Sequence, residues 1–252
     1  MGKMSRWWWL ILTAIAVPLV AVAGFVWWAT SGPEPMPEAL AALQSDSQVE
    51  VQQEPWLVFR PREGKATTGL ILYPGGRVDS RAYAPAARAL AEEGYLVTLV
   101  PMPLDLAFFA PNRASEVLAA FPAVDDWAIG GHSLGGAMAA NFVYQNPDAV
   151  DGLVLWAAYP AEGNDLSDYD QHVVSIYGTR DGVASGEEIA ASQALLPPTT
   201  RWVPIEGGNH AQFGWYGPQG GDNAATISRS EQQAQMVAAT LELLQGLNAP
   251  AP

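Results

Sequence analysis

The stretch "WAIGGHSLGGAMAAN", residues 127–141, decides how this chain is to be read. "WAIGG" is an apolar, strand-like run, and Gly131-His-Ser-Leu-Gly135 is a glycine-flanked turn. Leu134 to Asn146 is a row rich in small helix formers, stopped by Pro147. A strand that turns abruptly into a helix through Gly-x-Ser-x-Gly lifts a serine clear of the backbone, and Gly131 and Gly135 relieve the crowding of that turn. Gly136, Ala137 and Ala139 let the helix approach a sheet closely. With 24 glycines in the chain the pattern also arises by chance. Ser133 is therefore a nucleophile only if the surrounding segments supply its partners.

Upstream, "PWLVFRP" and "TTGLILYPGG" read as strands, the second a buried run over Leu70 to Tyr73 ended by a Pro-Gly-Gly turn. Tyr83, Ala87, Leu90 and Ala91 then recur at helical spacing, with Pro85 in the first turn and Gly94 as the stop. "YLVTLVP" is another buried strand, and "MPLDLAFFAPNRASEVLAAF" is an irregular loop leading into a short helix that ends near Phe121. Downstream, "DGLVLWAAYP", "HVVSIYG" and "TRWVPIEG" supply three strands, with a helix near Glu187 to Leu196 between the last two. A final helix opens at the capping box Ser228-x-x-Glu231, is expected to turn Val237, Leu241 and Leu244 inward, and stops at Gly246. Strands alternate with helices throughout. The expected fold class is α/β, a mostly parallel sheet with helices on both faces.

The chain has 252 residues, room for one sizeable domain, and no internal repeat. Its 26 acidic residues against 12 basic ones give a formal charge of −14, which repels a phosphate backbone, so no nucleic-acid partner is expected. The absence of cysteine removes disulfides, thiolate metal sites and a cysteine nucleophile, and leaves the compartment open. Three scattered histidines offer no His-Glu-x-x-His spacing, so neither metal nor cofactor is expected.

Trp7 to Trp28 is an uncharged run of 22 residues, long enough as a helix to cross a hydrocarbon core about 30 Å thick. Tryptophans at both ends suit the interfacial belts of a bilayer, and Pro18 and Gly24 are tolerated in such helices. Lys3 and Arg6 precede the run, and no basic residue follows until Arg60. The positive-inside rule then makes residues 1–6 cytoplasmic and places the domain outside, the lipid bilayer being the partner of residues 7–28. The competing reading is a cleaved signal peptide, because "AVA" at Ala21 to Ala23 resembles a small-residue cleavage site. Phe25 to Trp28 and the length of the run favour retention. Residues 29–48, rich in Pro, Ala, Ser and Glu, read as an extended linker holding a domain of residues 49–248 off the bilayer.

In a parallel sheet ligands bind at the carboxyl ends of the strands, and Ser133, Asp181 and His210 fall in three such loops. A serine hydroxyl needs a base, and the base needs a group that fixes its tautomer. His132 adjoins the serine on the turn and reads as a supporting or structural group, and His172 begins a strand. His210, in "EGGNHAQFG", is the histidine left in a suitable loop. Asp181, in "YGTRDG", precedes it, while Asp165, Asp168 and Asp170 form a rival acidic loop.

On these motifs, in the order Ser, Asp, His, the chain from about Pro55 to Gly246 resembles an α/β-hydrolase. The similarity is to the small single-domain kind related to dienelactone hydrolases and to α/β-hydrolase fold five. The resemblance implies Ser133 as nucleophile, His210 as general base and then acid, and Asp181 as the orienting carboxylate. It also implies an oxyanion hole from the amide of Leu134 and one from the turn "YPGGRVD", where Gly76 is chosen and Gly75 and Arg77 are its neighbours. This chain has Tyr73-Pro74 where many relatives carry His-Gly.

Around the substrate, Arg77, Phe108 and Trp215 are expected to contribute, with Phe109 and Tyr216 close by. Only about eleven residues separate "LVLWAAYP" from "HVVSIYG", where lids are usually inserted in this family, so no cap domain and a shallow pocket are expected. The expected function is a serine hydrolase acting on a small-molecule ester through an acyl-enzyme. The alternatives are an acyltransferase using the same triad and a non-catalytic binding protein that keeps the fold.

Overall fold

The structure, a computed structural model, describes residues 6–247. Lys3 and residue 248, the last of the expected domain, lie outside the described residues. In chain order the elements are α1 (Arg6–Thr30), α2 (Pro37–Ala41), β1 (Val49–Gln52), β2 (Leu57–Pro61), β3 (Thr68–Tyr73), α3 (Ala84–Glu92) and β4 (Leu96–Leu99). They continue with α4 (Ala114–Ala120), β5 (Asp126–His132), α5 (Leu134–Gln145), β6 (Gly152–Trp156), β7 (His172–Gly178), α6 (Gly186–Ala191), β8 (Arg201–Ile205) and α7 (Arg229–Leu247).

The strands form one eight-stranded sheet in the order β1-β2-β4-β3-β5-β6-β7-β8. β3 to β8 run parallel, while β1 and β2 are antiparallel additions at one edge. Every residue of β3, β4 and β6 is buried, as strands covered by helices on both faces require. One face packs against α3 and α7 through Ala87, Leu90, Met236 and Leu244. The other packs against α4 and α5 through Val117, Ala139, Phe142 and Val143.

Three expectations change. β1 is not apparent in the sequence, because "VEVQ" is short and buries Val49 fully but Val51 only partly, as an edge strand can. In α7 the capping box forms as expected, Ser228 N–H donating to Glu231 Oε2 at 2.8 Å and Glu231 N–H to Ser228 Oγ at 3.2 Å. Its inward face, however, is Gln232, Gln233, Met236, Ala239, Thr240, Leu243 and Leu244, with Val237 and Leu241 half-buried. Gln232 and Thr240 are drawn inside by specific hydrogen bonds, so apolar residues alone mislead about the stripe. Thr240 Oγ1, for example, accepts from the Trp156 indole at 3.1 Å.

The third change concerns residues 29–48, which are not an extended spacer. α1 includes Ala29 and Thr30. The chain then pairs Pro35 with Tyr216, forms α2 with a proline in its first turn, and buries Ala29, Pro35, Ala39, Ala42 and Leu43. Arg88 of α3 holds this segment by donating to Ala42 O at 3.0 Å and to the Asp46 carboxylate at 2.7 Å. The apolar spacing of "ALAAL" outweighs the prolines before it. α1 itself is exposed along Trp7 to Trp28, and Trp7–Thr30 is long and apolar enough to cross a membrane.

Candidate active site

The loops after β3 to β8 meet along the carboxyl edge of the sheet. Among the described residues, five other than glycine have positive φ: Arg77, Leu104, Asp105, Ser133 and Ala157. All five sit in the loops after β3, β4, β5 and β6. Each such conformation costs about 1–3 kcal/mol and persists only where surrounding structure enforces it.

Ser133 adopts φ 52 and ψ −122 between β5 and α5, with its N–H donating to Trp156 O at 3.0 Å. The turn fits only because its neighbours lack side chains. A Cβ on Gly135 would overlap the carbonyl oxygens of Tyr73 and Pro74, and one on Gly131 would lie 2.6 Å from Tyr73 O. As the first residue of α5, Leu134 has an N–H with no acceptor within the helix. Opposite it, the turn after β3 settles which amide is free. Gly75 N–H donates to Tyr83 Oη at 3.0 Å and Arg77 N–H to Asp105 O at 2.8 Å, so of the three only Gly76 N–H lacks an acceptor among the described residues. The two turns touch, since a Cβ on Gly76 would stand 3.1 Å from Leu134 Cδ2.

His210 follows β8 and is fully buried, and its Nδ1 lies 2.8 Å from Asp181 Oδ2. The other oxygen, Asp181 Oδ1, accepts from the amides of Val183 and Ala184, each at 2.7 Å. An ionised carboxylate only accepts, so Nδ1 carries the proton and Nε2 presents a lone pair. Nε2 is buried without a hydrogen-bond partner. A polar atom left so usually costs about 1–3 kcal/mol, and in native proteins such atoms call for a functional explanation. The structure therefore joins Asp181 to His210 but does not hydrogen-bond Ser133 to His210. The residue that precedes the serine, His132, has its ring centroid 4.5 Å from that of His210.

Two supports escaped the sequence reading. Tyr83, read there only as a core position of a helix, accepts from Gly75 N–H and shares a hydrogen bond with His132 Nδ1 at 2.8 Å. Burial pushes the Tyr83 phenol up, which keeps it protonated. Burial first, and then the neighbouring His210, hold His132 well below the ordinary histidine range, so it stays neutral. Asp222 is the second. Its Oδ1 accepts from Gly182 N–H at 3.1 Å and His210 N–H at 3.2 Å, and its Oδ2 accepts from Ala211 N–H at 2.9 Å. One carboxylate thus locks the aspartate loop to the histidine loop. Gln232 of α7 fixes the adjoining residue through both the N–H and the C=O of Asn209. No local motif marks either support, because each acts across sequence separations of at least eight residues.

Beside Ser133 lies a cavity of about 190 Å³ whose lining includes Leu134, Ala157, Tyr159, Val183 and Ala184. None of the three residues expected around substrate lines it. Arg77 donates from Nε to Trp28 O at 2.8 Å and lies 4.5 Å above the Trp28 ring, so its guanidinium is already engaged. Phe108 projects to solvent, and Trp215 faces a separate hollow between α3 and α7. The rival carboxylates Asp168 and Asp170 line a cavity at the opposite edge of the sheet. No group of three or more His, Cys, Asp or Glu able to hold a metal occurs among the described residues.

With this geometry in place, the comparisons with known proteins give the class. The profile of the alpha/beta hydrolase family matches residues 69–234, and the chain belongs to that family. Among solved structures it is similar to a predicted CIB-like hydrolase from Thermoplasma acidophilum. The TM-score is 0.56 and the identity 19%, over 79% of this chain and 98% of that one. It is also similar to MGS-MChE2, an alpha/beta hydrolase enzyme from a sediment metagenome of the Mar Chica lagoon, Morocco. There the TM-score is 0.51 and the identity 16%, over 66% of this chain and 90% of that one. At these identities the likeness is one of fold. No curated protein matches the chain.

Proposed function

We propose that the chain is a serine hydrolase acting on carboxylic esters through an acyl-enzyme. The observation that carries this reading is the buried, unpartnered Nε2 of His210. Asp181 fixes its tautomer, and its ring packs 4.5 Å, centroid to centroid, from that of His132, the residue next to a serine held in a strained elbow. In the first half-reaction Ser133 Oγ bonds to the ester carbonyl carbon while His210 Nε2 takes the hydroxyl proton. Negative charge gathers on the carbonyl oxygen, where the amides of Leu134 and Gly76 receive it. The C–O bond to the alcohol then breaks, and His210 returns the proton to the leaving oxygen. In the second half water attacks the acyl carbon, His210 takes its proton, and Ser133 leaves protonated with the acid released.

The small apolar cavity at Ser133 takes the acyl group. At about 190 Å³ it lies below the roughly 300–1,000 Å³ of ordinary ligand pockets, which favours short acyl chains. α1 anchors the protein in a bilayer as a single span, its N-terminus cytoplasmic and the catalytic domain extracytoplasmic. A fluorophosphonate probe tests the core of the proposal. Covalent labelling of the wild-type chain at Ser133, located by mass spectrometry and lost in Ser133→Ala, is expected. A folded wild-type chain that does not label refutes it.

A further inference from the structure

The joint between α1 and the domain lies on the same rim as the site. Phe25, in the last turns of α1, meets Phe109 edge-on with ring centroids 6.2 Å apart. Arg77 clasps Trp28 and reaches Ser31, and Met36 N–H donates to Trp215 O at 2.8 Å. The domain is therefore held at a fixed height on the helix. Phe25 stands five residues before the helix end at Thr30, about 7.5 Å along the axis. Beside it Trp27 and Trp28 form the aromatic girdle that marks the boundary between hydrocarbon and headgroups. A ring that touches Phe25 from the domain lies at that same level. Phe108 and Phe109 are 47% and 48% exposed, an aromatic pair facing outward where a soluble surface would carry polar groups.

The loop that bears them is also wired to the reaction centre. It follows β4, and Asp105 O accepts the Arg77 amide beside Gly76. Leu106 Cδ2 stands 3.8 Å from where a Gly76 Cβ would lie. With a formal charge of −14, the chain gains nothing from an anionic surface, so apolar insertion must hold this rim to the lipid.

We infer that the site opens at the bilayer interface and takes a short-chain acyl ester of a membrane-resident alcohol. The bulky alcohol stays among the lipids while the small acyl group enters the cavity beside Ser133. The assignment rests on the serine-hydrolase reading and adds the source and shape of the substrate.

The test uses the full chain in phosphatidylcholine vesicles. Because the chain has no cysteine, Phe108→Cys accepts a single bimane label, and His172→Cys provides a control at the far edge of the sheet. Lipids carrying nitroxides near the headgroups are expected to quench the label at 108 and not at 172. Equal quenching at both positions, or none at 108, overturns the inferred geometry. For activity, hexadecyl acetate in the vesicles is compared with p-nitrophenyl acetate in solution. The Phe108→Ser, Phe109→Ser double variant is expected to lose about tenfold in kcat/KM on the first and less than about twofold on the second. Equal losses on both, or none on either, overturn the substrate assignment even if quenching is seen. Failure of the hydrolase reading is distinct: the wild-type chain would then neither label with fluorophosphonate nor cleave p-nitrophenyl acetate.

Discussion

Where β7 and β8 begin, the protein holds a cavity of about 700 Å³ whose lining includes Asp168, Asp170, His172, Arg201 and Glu242, whereas at the opposite edge the cavity beside Ser133 is about 190 Å³. The larger space has the richer stock of ionisable groups. Its backbone, however, contains none of the five strained residues, and Arg201 is already paired with Glu242. The smaller one is lined by Ser133 and Ala157, two of the strained residues, and by Leu134, whose amide has no acceptor within its helix. On the proposed reading, chemistry in this fold is located by backbone that is energetically costly to hold in place and not by volume or by the number of charges.

The contrast is most exposed to refutation through Asp181. Asp181→Asn keeps the shape but favours the wrong tautomer of His210, and kcat on p-nitrophenyl acetate is expected to fall by about 10⁴-fold. His172→Ala at the larger cavity is expected to change it by less than about twofold. Steady-state kinetics on both variants reverse the comparison if the larger loss falls at His172.

Asp222 sharpens it with a smaller effect. Asp222→Asn turns one of the oxygens shared by Gly182, His210 and Ala211 into a donor facing their amides. The resulting shift of the two loops is expected to lower kcat about 10- to 100-fold with KM within about twofold. A parallel loss in kcat and thermal stability with KM raised would make Asp222 a general structural strut instead.

The least effect is on stability. His132 is kept neutral when folded but takes up a proton near pH 6.5 when unfolded. Its contribution is intact above that pH and declines as pH falls below it, by at most about 1.4 kcal/mol per pH unit. Thermal melts at pH 7 and pH 5 are expected to show a smaller acid loss in His132→Gln than in the wild type. An equal loss would assign the acid sensitivity to other groups.

How much of this was legible in the sequence follows from how far each signal reaches. Parallel strands such as "GLILY" and "GLVLW" announce themselves because both faces are covered, and the elbow does so because its glycines sit next to the serine. The capping box of α7 is equally local. β1 was hidden by its brevity, and α2 by prolines whose usual meaning is extended chain. The loops bearing Ser133, Asp181 and His210 could be found from strand ends and Gly76 was chosen by resemblance, but the engagement of the amides on either side of it could not be read. Tyr83 and Asp105 take up those adjacent amides, and only folding brings them near. Arg77 was misjudged for the same reason, since Trp28 stands 49 residues away from it.

The bridge between Pro35 and Tyr216 has a bearing on biosynthesis. One half of that clasp leaves the ribosome early and waits until more than four-fifths of the chain has been made. A polypeptide truncated ahead of Trp215 could still carry its apolar helix but would leave the Met36 amide without its acceptor. Closure of this clasp thus reports that translation has passed His210, the last in the chain of the three residues proposed to react.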